Sequence, residues 1–413
     1  MFSSLRNRNY RLFASGQVVS NTGTWMQRVA QDWLVLELTH GSGTALGVAT
    51  GLQFLPLLLF SLWGGAIADR YSKRAILMVT QAAMGALALI LGVLTITGVV
   101  QIWHVYGLAL ALGLITVVDN PTRQTFAVEM VGRANLPNAI ALNSATFNLA
   151  RIVGPAVAGL VISALGTPIA FMINAASFGA VLTGLKLMRT SELHPAEPAP
   201  RAKGQIRDAL RYVLHRPSLC ALMVIVFFVA TFGMNFQVTT ALMSREVFHT
   251  GAGAFGLAGA VFAAGALCGA LLAARRRRPG VRLLLVSASA FGLLEVLTGL
   301  MPTFWSFLAM LVPTGLALLT FSTAANSATQ LETSPEMRGR VMGLYLLVFL
   351  GGTPLGSPLV GWLAEQFGAR TSLMAGGAIS AVAAVLVAAV LARSQSLRVR
   401  DFLRPRTLLR IGA

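Results

Sequence analysis

Twelve apolar runs, each near the length of a membrane-spanning helix, dominate this chain and leave it few ways to fold. A helix that crosses a bilayer needs about 20 predominantly apolar residues. The runs fall at about 12–37, 44–67, 75–98, 102–122, 139–165, 168–188, 219–243, 252–273, 282–300, 303–325, 340–364 and 371–392. The first is the most polar, with Asn21, Thr24, Gln27, Arg28, Gln31 and Asp32 inside it. Composition agrees with the runs. Of the 413 residues 55% are hydrophobic and only 11% charged, against about 25% charged in a soluble globular protein. That balance excludes a soluble enzyme, a disordered chain and a collagen-like fibre. The prediction is an all-α membrane protein.

The basic residues then set a topology. The net charge of +18 is large enough to suggest nucleic acid, but the charges are scattered between apolar spans and no soluble basic domain collects them. Cytoplasmic loops carry the excess of Lys and Arg. With the N-terminus inside, 28 of the 32 basic residues fall on the inner side. Only Arg245 and Arg370 fall on the outer side, and Arg28 and Arg151 lie within spans. Both termini are therefore expected in the cytoplasm. Only three of the basic residues are Lys, and no cleavable signal peptide is visible. Cys220 and Cys268 both sit in apolar stretches and read as buried, reduced residues without a disulfide framework.

One polar connection is long. It divides the chain into an N-terminal six-helix bundle (1–188), a linker (189–218), a C-terminal six-helix bundle (219–392) and a basic tail (393–413). The linker opens with a proline-rich run from His194 to Pro200 that cannot be regular helix. It continues with Ile206, Leu210, Val213 and Leu214 at helical spacing among Arg207, Arg211 and Arg216. This pattern predicts a short basic amphipathic helix at the inner membrane surface. The halves repeat: an offset of 202 superposes Gly154 on Gly356, Gly159 on Gly361 and Gly166 on Gly368.

At the end of the second run stands GAIADRYSKR, residues 65–74. It resembles the loop 2–3 signature of the major facilitator superfamily, G-x-L-A-D-R-x-G-x-R-R, matching it at Gly65, Ala68, Asp69, Arg70 and Arg74. Ser72 replaces the second glycine and Ala75 the last basic residue. The resemblance implies two pseudo-symmetric six-helix bundles with a substrate site between the halves near the midplane. It also implies that Gly65, Asp69, Arg70 and Arg74 form a conformational switch. The fifth run carries Gly154, Pro155 and Gly159, similar to the G-P-x-x-G-G motif of family exporters with Ala158 in place of one glycine. The opening LRNRNYRLF (5–13), SNTGTWM (20–26), DNPTRQ (119–124) and LPNAIALNS (136–144) look like one branch, the enterobactin-exporter-like and macrolide-efflux-like proteins. Many proton-coupled drug exporters carry an Arg midway along span four. Here Leu108–Gly113 has no ionisable group, so that proton-relay role does not transfer.

A charge inside a span is costly and normally faces a cavity or a partner. Arg28 and Asp32, four apart on span one, can meet on one helix face. They form either a structural pair that neutralises itself or a proton-coupling site in which Asp32 carries the proton, with Arg28 tuning its pKa or meeting an anionic substrate. Arg151 is expected to pair with Asp32 or to face substrate. Asp119 and Arg123, also four apart, read as a structural or gating pair. Candidate cavity residues are Asn21, Gln31, Asn148 and Arg151 in the first half, and Asn235, Gln237, Asn326 and Tyr345 in the second. Each could equally be interhelical glue. Glu295, on span nine, reads as structural. No nucleotide-binding loop, metal cluster or catalytic nucleophile motif is present, so neither a cofactor nor an enzyme is expected.

The resulting expectation is a monomeric secondary exporter, a proton antiporter for amphipathic organic compounds such as drugs, siderophores or metabolites. The alternatives are an uncoupled facilitator or lipid transporter, and a non-transporting membrane receptor or scaffold.

Overall fold

The computed structural model describes residues 3–194, 205–274 and 281–394. The proline-rich run from 195, the four arginines at 275–278 and the basic tail from 395 lie outside the described residues. So do the side chains of Leu62, Arg133, Ile206 and a few residues at segment ends. All regular structure among the described residues is helical. The helices are α1 (Arg8–Leu38), α2 (Gly43–Arg70), α3 (Lys73–Ile96), α4 (Ile102–Leu165), α5 (Thr167–Lys186), α6 (Gln205–Leu214), α7 (Pro217–Phe228), α8 (Phe236–Leu242), α9 (Ala252–Ala274), α10 (Val281–Leu300), α11 (Phe304–Leu331), α12 (Arg338–Phe367) and α13 (Ala369–Ser394).

Eleven helical segments among the described residues are long and apolar enough to cross a membrane. The runs expected as spans four and five form one helical stretch, α4, broken at Gly132. Its φ of 70° and ψ of 171° divide α4 into arms Ile102–Gly132 and Ala134–Leu165, each of spanning length. A side chain would be strained at that φ, which explains glycine there. Span seven is the stretch Pro217–Val247, interrupted by π-helical turns at Val229–Gly233 and Met243–Val247. The helix α1 is not among the eleven. Its 31 residues reach about 46 Å at the usual rise, ample for a bilayer, but its polar residues lower its mean hydropathy.

Helix starts follow local chemistry. The Asn7 side chain accepts from the Tyr10 N–H to cap α1, and Ser42 accepts from the Ala45 N–H to cap α2. Pro217 occupies the first turn of α7, where its missing N–H has no helical role. Prolines inside α2, α4, α11 and α12 are tolerated because neighbouring helices shield the freed carbonyls from lipid.

The chain divides into two compact units. One takes the chain up to Arg201 together with Thr240–Ala263; the other takes Ala202–Thr239 and the chain from Ala264 onward. In the first unit the opening segment is bolted to the kink of α4. Ser4 N donates to Asn138 Oδ1 at 3.0 Å, and Asn7 Nδ2 to Met130 O at 2.7 Å. Tyr10 Oη donates to Ala139 O at 2.9 Å. These are residues of the 5–13 and 136–144 stretches and their flanks, so two sequence motifs prove to be one tertiary contact. Lys73, at the start of α3, pairs with Glu129 at 2.5 Å.

In the second unit α6 buries Ala209 and Val213. It is tied down by an ion pair of Asp208 with Arg340 at 3.0 Å and by Ser334 N donating to Tyr212 Oη at 3.1 Å. The amphipathic helix is thus fastened to protein through one face, while Leu210 and Leu214 stay exposed on the other. Cys220 and Cys268 are both unpaired, but Cys268, expected to be buried, is exposed on α9. A spanning helix turns apolar residues outward as readily as inward, so an apolar run does not show which way a small residue faces.

The repeat is visible in backbone detail. Gly166 ends α4 with φ 85°, its N–H bonded to Ile162 O. Gly368 ends α12 with φ 89°, its N–H bonded to Ala364 O. Gly154 packs on α1 beside Thr22 and Trp25, and Gly356 packs beside Thr231 and Asn235.

Candidate functional site

The polar residues of α1 do not scatter around the helix. Ser20, Asn21, Thr24, Gln27, Arg28 and Gln31 share one stripe, at the three- and four-residue spacing that aligns side chains on a helix face. In the first unit this stripe lines a cavity of about 120 Å³. Facing it are Gln53 of α2, Thr116, Asp119 and Arg123 of the first α4 arm, and Asn174 of α5.

The Asp119–Arg123 pair organises one end. Arg123 Nη2 donates to Asp119 Oδ2. Asp119 Oδ1 accepts from Thr80 Oγ1 at 2.7 Å and from Gln81 Nε2 at 2.8 Å. The carboxylate is fully buried with all this support, as a buried charge requires. Arg123 Nη1 also donates to Gln17 Oε1 at 2.7 Å and lies 3.5 Å from Asn21 Oδ1. Arg123 lines a second cavity as well, of about 430 Å³, with Tyr10, Phe13, Gln17 and Asn143. The ion pair therefore stands where the two cavities meet.

At the other end, amides pair with amides. Asn174 Nδ2 donates to Gln27 Oε1, and Gln31 Nε2 lies 3.5 Å from Gln53 Oε1. Arg28 takes part in neither pair. Its guanidinium carbon sits 4.6 Å from the Trp25 ring centre and 5.9 Å from that of Phe54, an arrangement suited to cation–π attraction. Its Nε is buried without a hydrogen-bond partner. Asp32, one turn further, is buried and acts on Arg28 electrostatically, but it does not line the cavity.

Of the sequence-predicted residues, Asn21, Arg28, Gln31, Asp119 and Arg123 come together here. Asn148 and Arg151 lie outside the lining. Asn148 Nδ2 donates to Ser144 O of its own helix at 2.9 Å. Arg151 makes no hydrogen bond or ion pair among the described residues, so the suggested pairing with Asp32 is not formed. The second α4 arm turns Gly154 toward α1 and buries it, while Arg151, one turn earlier, is half-buried. In the second unit Asn235 donates back to Thr231 O at 2.7 Å, leaving its Oδ1 buried and unpartnered. Gln330 donates to Asn326 Oδ1 at 2.7 Å, and Tyr345 is buried and stacked on Phe349. Gln237 flanks Asn235 at the start of α8.

In the loop 2–3 signature, Asp69 and Arg70 are exposed and Gly65 is half-buried. Arg74 serves a structural role. Its Nε donates to Leu185 O at 2.7 Å and its Nη2 to Lys186 O at 3.2 Å, satisfying carbonyls at the end of α5. Pro155 and Gly159 of the exporter-like motif contact Gly253, Gly256 and Gly259 of α9, where the backbones approach too closely for side chains. Sequence reasoning misses Thr80, Gln81, Gln53 and Asn174. The available signal was each polar side chain isolated in an apolar run.

The architecture has clear relatives. Over 95–99% of both chains it matches solved membrane transporters: a bacterial homologue of the human lysosomal transporter Spinster (TM-score 0.65, 16% identity), the nucleoside transporter NupG (0.71, 14%) and a POT family transporter in complex with 5-aminolevulinic acid (0.73, 11%). At these identities the likeness shows the fold alone. In sequence the chain is 26% identical to the staphyloferrin A transporter of Staphylococcus aureus, over 87% of this chain and 90% of that one. It is 28% identical to the multidrug efflux pump Tap of Mycolicibacterium fortuitum (88% and 90%) and 26% to the enterobactin exporter EntS of Shigella flexneri (94% and 93%). Residues 1–404 match the profile of the transmembrane secretion effectors. The chain belongs to that family: it is a multi-pass membrane transporter of the major facilitator superfamily, not an enzyme.

Proposed function

We propose that this protein is a proton-coupled exporter of amphipathic organic compounds (drugs, siderophores or other metabolites) in the bacterial inner membrane. It works as a monomer by alternating access, with both termini in the cytoplasm. In this reading α1 is the twelfth span despite its low hydropathy, and residues 1–188 and 219–392 are two six-helix halves. The linker 189–218 joins the halves on the inner side. The observation that carries the proposal is the cavity of the first unit, where α1 presents a cation and a row of amides to a space of about 120 Å³ inside a membrane protein. A span maintains such a surface at a cost to its insertion, and a path for a polar solute gives a reason to keep it.

Asp32 is the coupling carboxylate in this proposal. It is buried one turn from Arg28 on the cavity-lining helix, where gain or loss of a proton changes the field at Arg28. Gly65, Asp69, Arg70 and Arg74 act as the switch loop, and Asp119–Arg123 as a gate between the two cavities. Names of the relatives support export over uptake: two are exporters or efflux pumps by name.

The test is efflux from proteoliposomes under an imposed pH gradient, comparing wild type with Asp32→Asn. Wild-type flux should follow the gradient, and the variant should fold but lose that dependence. Gradient-independent flux in the wild type would identify an uncoupled facilitator instead. Full gradient-driven efflux by a well-expressed Asp32→Asn protein would remove Asp32 from the coupling role.

A further inference from the structure

Within the lining of the first-unit cavity the charges do not cancel, because Asp32, the carboxylate that acts on Arg28, lies outside the lining. The lining holds Arg28, Asp119 and Arg123. Asp119 is engaged by Arg123, Thr80 and Gln81, which leaves Arg28 as the surplus charge of the lining. The neighbouring amides are turned to each other in the Gln27–Asn174 and Gln31–Gln53 pairs. None of them supplies an acceptor to the buried Arg28 Nε, which has no hydrogen-bond partner.

The aromatic rings hold the guanidinium in place without consuming its donors. The Trp25 and Phe54 ring centres lie 4.6 and 5.9 Å from the guanidinium carbon, and cation–π attraction to these rings fills none of the N–H donors with an oxygen acceptor. A cation so held, with a buried donor unfilled, is a preorganised receptor for an anion. Carboxylate fits this receptor, because its two oxygens accept in parallel from the guanidinium fork. At about 120 Å³ the cavity accommodates a head group and not a whole drug-sized molecule.

We propose that Arg28 is the carboxylate receptor of the transport site and that the transported compounds are organic acids whose acidic head enters this cavity. The inference rests on the export reading above and narrows its substrate class. It also gives Asp32 a competitor: the incoming carboxylate takes over the Arg28 charge on which Asp32 otherwise acts.

The test is equilibrium binding to the purified full-length protein, which requires no transport. Radiolabelled citrate, benzoate and decanoate serve as probes, each beside its neutral methyl ester. At least one acid should bind wild type about tenfold or more tightly than its ester, the discrimination expected of one charge-assisted bidentate contact. Arg28→Gln should abolish that preference. Arg28→Lys, which keeps the charge and loses the fork, should retain part of it. Thermal unfolding checks that both variants fold, and the acid–ester comparison on wild type stands even if neither does. Equal binding of acids and esters by wild type, or an undiminished preference in folded Arg28→Gln, overturns the inference. Acid binding without gradient-driven efflux would sink the coupled-export reading and leave the receptor in place. Gradient-driven efflux of neutral compounds alone, with no acid preference, would do the reverse.

Discussion

Asn9 and Arg189, 180 residues apart, exchange two hydrogen bonds. Asn9 Nδ2 donates to Arg189 O at 2.9 Å, and Arg189 N donates to Asn9 Oδ1 at 3.0 Å. Asn9 is completely buried, so its side-chain amide has no water to replace Arg189. Asn9→Ala should destabilise the first unit by about 1–3 kcal/mol for the donor and acceptor left unpaired. Asn9→Asp should be no better, because it restores the acceptor but not the donor. Thermal unfolding in detergent reads the effect, and an unshifted melting temperature for Asn9→Ala would refute it.

Asp119 anchors three partners from two helices. Removing it strands a cation and two polar side chains together. Asp119→Ala should cost about 3–5 kcal/mol, the usual penalty for breaking a buried pair from one side. Asp119→Asn keeps one acceptor and should lose less. Denaturation midpoints of the two variants, ranked against wild type, decide the matter; equal midpoints would show that Arg123 finds another partner.

Gly154 meets α1 where no side chain fits. A Cβ there would stand 2.9 Å from Thr22 O and 3.2 Å from Met26 N. Gly154→Val should cost about 1–3 kcal/mol through overpacking. At its repeat counterpart Gly356 the imagined atom would overlap the Thr231 carbonyl oxygen and stand 2.9 Å from Asn235 Nδ2, so Gly356→Val should destabilise at least as much. Expression and melting of the two variants side by side test both the packing and the repeat.

Glu295 is buried in α10 with Oε2 lacking any hydrogen-bond partner. Gly233 and Gly376 close on its carboxyl from the π-turn and from α13. The nearby Ser380 hydroxyl is already donating to Gly376 O at 2.8 Å. Glu295→Gln keeps the shape and removes the ionisable group, so it should melt no lower than wild type. Glu295→Lys, which forces a charge into the same space, should fail to accumulate in the membrane. A marked loss of stability in Glu295→Gln would mean the carboxylate is paired in the membrane-embedded protein.

Much of the architecture is legible in the sequence because lipid imposes a simple code. Apolar length marks a span, and it is a local property. The Gly166–Gly368 equivalence is legible for a related reason: a positive φ at a helix end selects glycine whatever surrounds it. The break at Gly132 is not legible, because one residue with φ 70° replaces the polar loop expected between spans four and five. The low mean hydropathy of α1 has a visible cause, since the polar stripe that lines the cavity runs along it.

The candidate site is legible in half. Arg28, Asp32, Asp119 and Arg123 stand out as charges in apolar runs, and a spacing of four places each pair on one face. Sequence alone thus determined the helices, their number to within α1, and which residues are too polar to face lipid. Only the tertiary structure decided which polar residues satisfy one another: Thr80 and Gln81 on Asp119, Asn174 on Gln27, and nothing on Arg28 Nε. The physical reason is that the cost of a buried polar group depends on its partners, and those partners lie on other helices at separations of up to 147 residues.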